Sequence, residues 1–146
     1  MRTLAALALL FSAQAFACPT LTGNYTCTYK DGTNETVSIT QSADKAGMVT
    51  YIYNGSQVPA NNQIYDVPDD QSVKQGKFRA WCDDDVTLKS QLIGKYWSNG
   101  SYFGDLTMNM NFQIESGNLK QVTTGNVVNS GGTYPIDDTL VCKVAP

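Results

Sequence analysis

Residues 106–114 read Leu106-Thr107-Met108-Asn109-Met110-Asn111-Phe112-Gln113-Ile114. Apolar and polar side chains alternate without a break. A two-residue period is that of a β-strand, with Leu106, Met108, Met110, Phe112 and Ile114 on one face and amides and a hydroxyl on the other. A strand with one apolar and one wet face belongs in an antiparallel sheet covering a core.

The neighbouring sequence continues the pattern in both directions. Asn99-Gly100 lies upstream and Ser116-Gly117 downstream, both dipeptides that turn hairpins. Beyond them, 86–96 and 119–124 read as strands. Earlier in the chain, 23–29, 35–41 and 48–53 alternate or are dense in β-branched and aromatic residues. Asp31-Gly32, Lys45-Ala46-Gly47 and Asn54-Gly55 punctuate them. Segments 63–67 and 77–83 are further strand candidates. A loose Asn129-Ser130-Gly131-Gly132 stretch precedes a last strand over 139–144. Beyond residue 17 no window holds a helical period for three turns, although 41–47 has room for one turn. The expected fold is all-β, an antiparallel up-and-down meander of about eight strands. Closure into a small barrel is expected over a sandwich, because hairpins are tight and long crossovers are absent.

Residues 1–17 read as a secretory signal peptide outside this domain. Arg2 supplies the positive charge, 4–11 the apolar stretch, and Ala15-Phe16-Ala17 the small-x-small cleavage pattern. Cleavage after Ala17 leaves a single β-barrel domain, 18–146, secreted or periplasmic, with Cys18 first. A lipidated Cys18 is the competing reading, and bulky Phe16 fits it poorly. Cys18, Cys27, Cys82 and Cys142 have no zinc or redox spacing, so they are read as two disulfides, with three pairings open. No later segment has the length of a membrane span.

Composition excludes several chemistries. The 146 residues include no histidine, which removes Ser-His-Asp and Cys-His catalysis and imidazole metal ligands. A formal charge of −3, without a basic cluster, argues against nucleic acid. The only glutamates, Glu35 and Glu115, sit beside turns and do not read as a facing carboxylate pair. Ser90 and Ser101 lack a base and a nucleophile elbow. The runs Asp69-Asp70, Asp83-Asp84-Asp85 and Asp137-Asp138 lack the spaced oxygens of a calcium loop and read as turn formers. No enzyme, metal or cofactor is expected. The sequons at Asn24, Asn34, Asn54 and Asn99 follow from turn composition.

Two sets of residues are candidate sites. Met108, Met110 and Phe112 on one strand face could line a cavity for a small apolar ligand. Tyr96, Trp97, Tyr102 and Phe103 flank Asn99-Gly100 and could form a contact patch for a protein or carbohydrate partner. The expected function is therefore a monomeric exported binding barrel for a small apolar molecule. The alternative is an interaction module or inhibitor of a secreted enzyme, working through the aromatic turn.

Gly23-Asn24-Tyr25 resembles the Gly-x-Trp opening of lipocalin-like barrels, with Tyr25 in place of tryptophan. In that family a basic residue of the last strand covers the ring, and Lys143 stands in a comparable place. The resemblance covers these two ends and implies a small secreted calycin-like shape. Tyr25-Thr26-Cys27 followed by Asp31-Gly32 is also similar to the start of periplasmic barrels that inhibit C-type lysozymes. That similarity implies a protein target and assigns no residue.

Overall fold

A computed structural model describes residues 18–146; the expected signal peptide lies outside the described residues. Ten strands run in chain order: β1 (Gly23–Thr28), β2 (Asn34–Ala43), β3 (Val49–Tyr53), β4 (Ser56–Pro59), β5 (Tyr65–Val67), β6 (Val73–Cys82), β7 (Leu88–Ser98), β8 (Ser101–Glu115), β9 (Asn118–Asn129) and β10 (Gly132–Val144). All belong to one antiparallel sheet in the order β4-β3-β2-β1-β10-β9-β8-β7-β6-β5. The all-β meander is as expected. The strand count and the closure are not.

The turns account for the meander. Asn54-Gly55, Asn99-Gly100 and Ser116-Gly117 all have positive φ at both positions, the geometry of two-residue hairpins whose twist matches the flanking strands. Asp31-Gly32 and 45–47 instead form three-residue loops, each ending on a left-handed glycine. Tyr29 N–H donates to Thr33 O, and Asp44 N–H to Met48 O. Ser130-Gly131 is itself a tight turn, so β10 begins at Gly132, well before the expected 139. Likewise, the 41–47 segment holds no helical turn, because β2 runs on to Ala43.

The barrel does not close. β4 and β5 are edges, although they are neighbours in sequence and every other consecutive pair is hydrogen-bonded. At four and three residues they are the shortest strands in the sheet. Pro59 pairs opposite Thr50, and Ala60 N–H donates to Val49 O one residue later. Antiparallel alternation therefore turns the Pro59 nitrogen outward, where it has no hydrogen to offer another strand. On the far side, Asn62 N–H donates to Ala80 O and satisfies part of the free edge of β6. The result is a curled half-barrel with a seam between β4 and β5.

The chain ahead of β1 crosses this open side. Cys18 is bonded to Cys82 at the end of β6, and Leu21 is buried in the core. Pro19 O accepts a 2.6 Å hydrogen bond from Tyr51 Oη, and Leu21 O a 3.0 Å bond from Tyr25 Oη. Gln41 Oε1 accepts from Leu21 N–H. The second disulfide, Cys27–Cys142, joins directly opposed residues of β1 and β10. Tyr25 is buried, whereas Lys143 is exposed and stands opposite Thr26. Among the described residues no helix is long and apolar enough to cross a membrane. Two disulfides are compatible with an oxidising extracellular or periplasmic location.

The disulfides close spans of 64 and 115 residues, which in a chain-entropy treatment contribute about 4 and about 5 kcal/mol. Replacing either pair by serine is expected to lower Tm by about 10–15 °C. The two variants should differ in where they loosen. In Cys18→Ser/Cys82→Ser, amide exchange should rise first in β3 and β4, which lose the crossing segment. In Cys27→Ser/Cys142→Ser it should rise in β1 and β10.

Candidate functional site

Inward residues follow from register. Leu88, Ser90 and Leu92 of β7 stand opposite Cys82, Ala80 and Phe78 of β6 on one side, and opposite Phe112, Met110 and Met108 of β8 on the other. The small side chains Ala80 and Ser90 are thus neighbours amid large ones. A void is left above Ser90. It is a pocket of about 290 Å³, near the lower end of the roughly 300–1,000 Å³ usual for small-molecule sites.

The pocket is formed by both halves of the sheet. Leu88 and Ser90, each nearly inaccessible, form its floor with Leu21. Ile39, Tyr51 and Tyr53 from β2 and β3 face Phe78, Met110 and Phe112 from β6 and β8. Tyr53 and Phe112 meet edge to face at 6.2 Å between ring centroids, so the opposite walls touch there. Exposed Asn54 and Ser56 mark the mouth. Among the described residues, no charged side chain lines the space. A second hollow lies along the seam, between 56–59 and 65–68. It shares Ser56, Val58, Phe78 and Met110 with the first, so the unpaired edges open onto the interior.

The cavity candidates are divided by this arrangement. Met110 and Phe112 line the interior pocket. Met108 instead lines a shallower groove at the far end of the long strands, with Leu106, Val127 and Ile136. The sheet brings to the walls and floor apolar and aromatic residues that sequence reading missed, among them Leu21, Ile39, Tyr51, Tyr53, Phe78 and Leu88. Ser90 was considered only as a nucleophile. The spacing Leu88-x-Ser90-x-Leu92 already put a hydroxyl on an apolar face, the one signal in the sequence that could have found it.

The aromatic turn also separates into two groups. Tyr96 stands opposite Gly104 and Trp97 opposite Tyr102, leaving Phe103 as an extra residue in a β-bulge. The bulge puts Phe103 on the inner side with Tyr96 at 6.0 Å, and 5.0 Å from Tyr134. Trp97 and Tyr102 form an outer pair at 6.3 Å. Lys74 lies over the Trp97 ring at 4.5 Å, and Tyr102 Oη donates to Asp105. The four rings are therefore two pairs on opposite faces, not one continuous patch. Tyr102, 49% exposed, is the most accessible of them.

The acidic runs are used in turns. Asp70 Oδ1 accepts from Ser72 and Val73 N–H, and Asp84 Oδ1 from Val86 and Thr87 N–H. These backbone donors hold both carboxyls below the usual Asp range. Asp83 pairs with Lys89, and Asp138 with Lys30. Among the described residues no three His, Cys, Asp or Glu side chains cluster as a metal site.

The geometry defines a disulfide-linked antiparallel half-barrel with an apolar interior pocket. No protein-family model, no curated protein and no solved structure matches the chain.

Burial pushes the Tyr51 phenol from 10.0 up to about 12. Because the folded value lies above the unfolded one, the associated stability is intact below pH 10 and is lost as pH rises towards 12. Alkaline unfolding followed by circular dichroism should show this loss. Tyr51→Phe should reduce it without abolishing it, because Tyr29 is also pushed up to about 12 by its hydrogen bond to Glu35, while costing about 1 kcal/mol at neutral pH for the lost bond to Pro19.

Proposed function

We propose that this protein is an exported binding protein that holds a small apolar molecule inside the curled sheet. The observation that carries the reading is the interior pocket, walled by aromatic, aliphatic and methionine side chains and free of charged ones. Transfer of apolar surface from water into such a space is favourable by about 25 cal/mol per Å². The uncovered seam supplies a way in that a closed barrel of the same strands would lack. The disulfides, the leader-like residues 1–17 and the lipocalin-like Gly23-Asn24-Tyr25 are in keeping with secretion and a calycin-like role. The absence of histidine fits a task that needs no proton transfer near neutral pH.

Neither tryptophan lines the pocket, so tryptophan quenching is a poor reporter of it. Methionine methyl resonances are better. Titration with butylbenzene should shift the Met110 methyl saturably, leaving Met48 and Met108 nearly unmoved. Val58→Trp, on the edge strand at the mouth, should reduce the affinity at least tenfold with Tm little changed. Saturable shifts at Met48 or Met108 alone, or none, would sink the proposal.

A further inference from the structure

The interior pocket contains one fully buried polar group that the fold leaves without a partner. Ser90 is 2% exposed, and its Oγ makes no hydrogen bond to any of the described residues. A hydroxyl carries one donor and two acceptor sites, and burying it unpaired costs free energy. Of the other polar groups of the lining, Tyr51 and Asn54 are occupied, and Tyr53 is only half-buried. Tyr51 Oη donates to Pro19 O, and Asn54 Oδ1 accepts from Ser38 N–H. Ser90 therefore stands out on the floor, between Ala80 on one strand and Met110 on the other.

We infer that the molecule bound here has an apolar body with one uncharged hydrogen-bonding group, such as a hydroxyl or carbonyl, held by Ser90 Oγ. This rests on the binding reading above and adds the ligand's class and orientation. The apolar body fills the space between Tyr53, Phe78, Met110 and Phe112, and the polar group points down to the floor. A carboxylate or ammonium is disfavoured in that position. It would lose its hydration with no opposite charge among the lining residues to replace it. A pure hydrocarbon fits the shape but leaves Ser90 unpaired. The hydrogen bond is thus the basis on which the site separates two ligands of nearly equal size.

The test compares butylbenzene with 4-butylphenol, on the wild-type protein and on Ser90→Ala, by calorimetry and by the Met110 methyl shift. In the wild type, the phenol should gain over the hydrocarbon. Ser90→Ala should cut that relative gain by about 3- to 10-fold, the range for one hydrogen bond. Its affinity for butylbenzene should stay the same or rise. The variant should also melt at or above the wild-type temperature, because an unpaired hydroxyl has been removed. An unchanged phenol-to-hydrocarbon ratio would overturn the role of Ser90 while leaving the pocket as a binding site. A marked fall in the variant's melting temperature would overturn it too, by showing that the hydroxyl already has a partner within the fold. If neither probe binds the wild type, both the binding reading and this inference fail.

Discussion

The covalent link between Cys18 and Cys82 constrains everything around the interior. It fixes Cys18, five residues ahead of β1, to the last residue of β6, on the far side of the unpaired seam from β1. The segment between Cys18 and Gly23 must then cross the open side of the curl. There it delivers Leu21 to the core and two carbonyls to Tyr51 and Tyr25. Those phenols could not be buried without acceptors, since an unpaired hydroxyl in an apolar interior is costly. A ladder of main-chain bonds between β4 and β5 would have held the two halves by repetition. Here a disulfide, one leucine and two side-chain hydrogen bonds do so by placement.

Much of the sheet was legible because period and turn chemistry are local. The unbroken alternation of 106–114 lies in the middle of β8, and the Asn-Gly pairs turn as their φ values require. What escaped was set by distance or by brevity. β4 has only four residues, and Ser56-Gln57-Val58-Pro59 shows no usable alternation and ends in proline. Its shortness is also why closure was wrongly expected, since nothing in the neighbouring hairpins announces that two sequential strands stay unpaired. β10 was read seven residues too short at its start, because Pro135 and the glycines of 131–132 resemble a loop. Tertiary pairing with β9 overrode that local composition.

The candidate site was legible in proportion to how far it depended on one strand. Met110 and Phe112 share the inner face of β8, so alternation alone put them in the pocket. Met108 has the same phase but lies one step along a strand longer than the pocket, where the sheet extends past β1–β3. Tyr51, Phe78 and Leu88 come from three other strands, and their convergence is a property of curl and register. The bulge at Phe103 has the same character. One extra residue reverses the expected facing of a side chain, and no alternation rule anticipates it.

The outward proline of β4 has a kinetic side. A strand paired along one edge only can fray without breaking the other nine, and β4 is held by β3 alone. Widening the seam would then take the opening of a four-residue flap rather than the unfolding of a domain. Residence time inside the pocket would be governed by that local equilibrium. The overall stability conferred by the disulfides would bear on it only weakly. With its nitrogen unable to donate, Pro59 also keeps a neighbouring molecule from zipping onto the flap and jamming it shut.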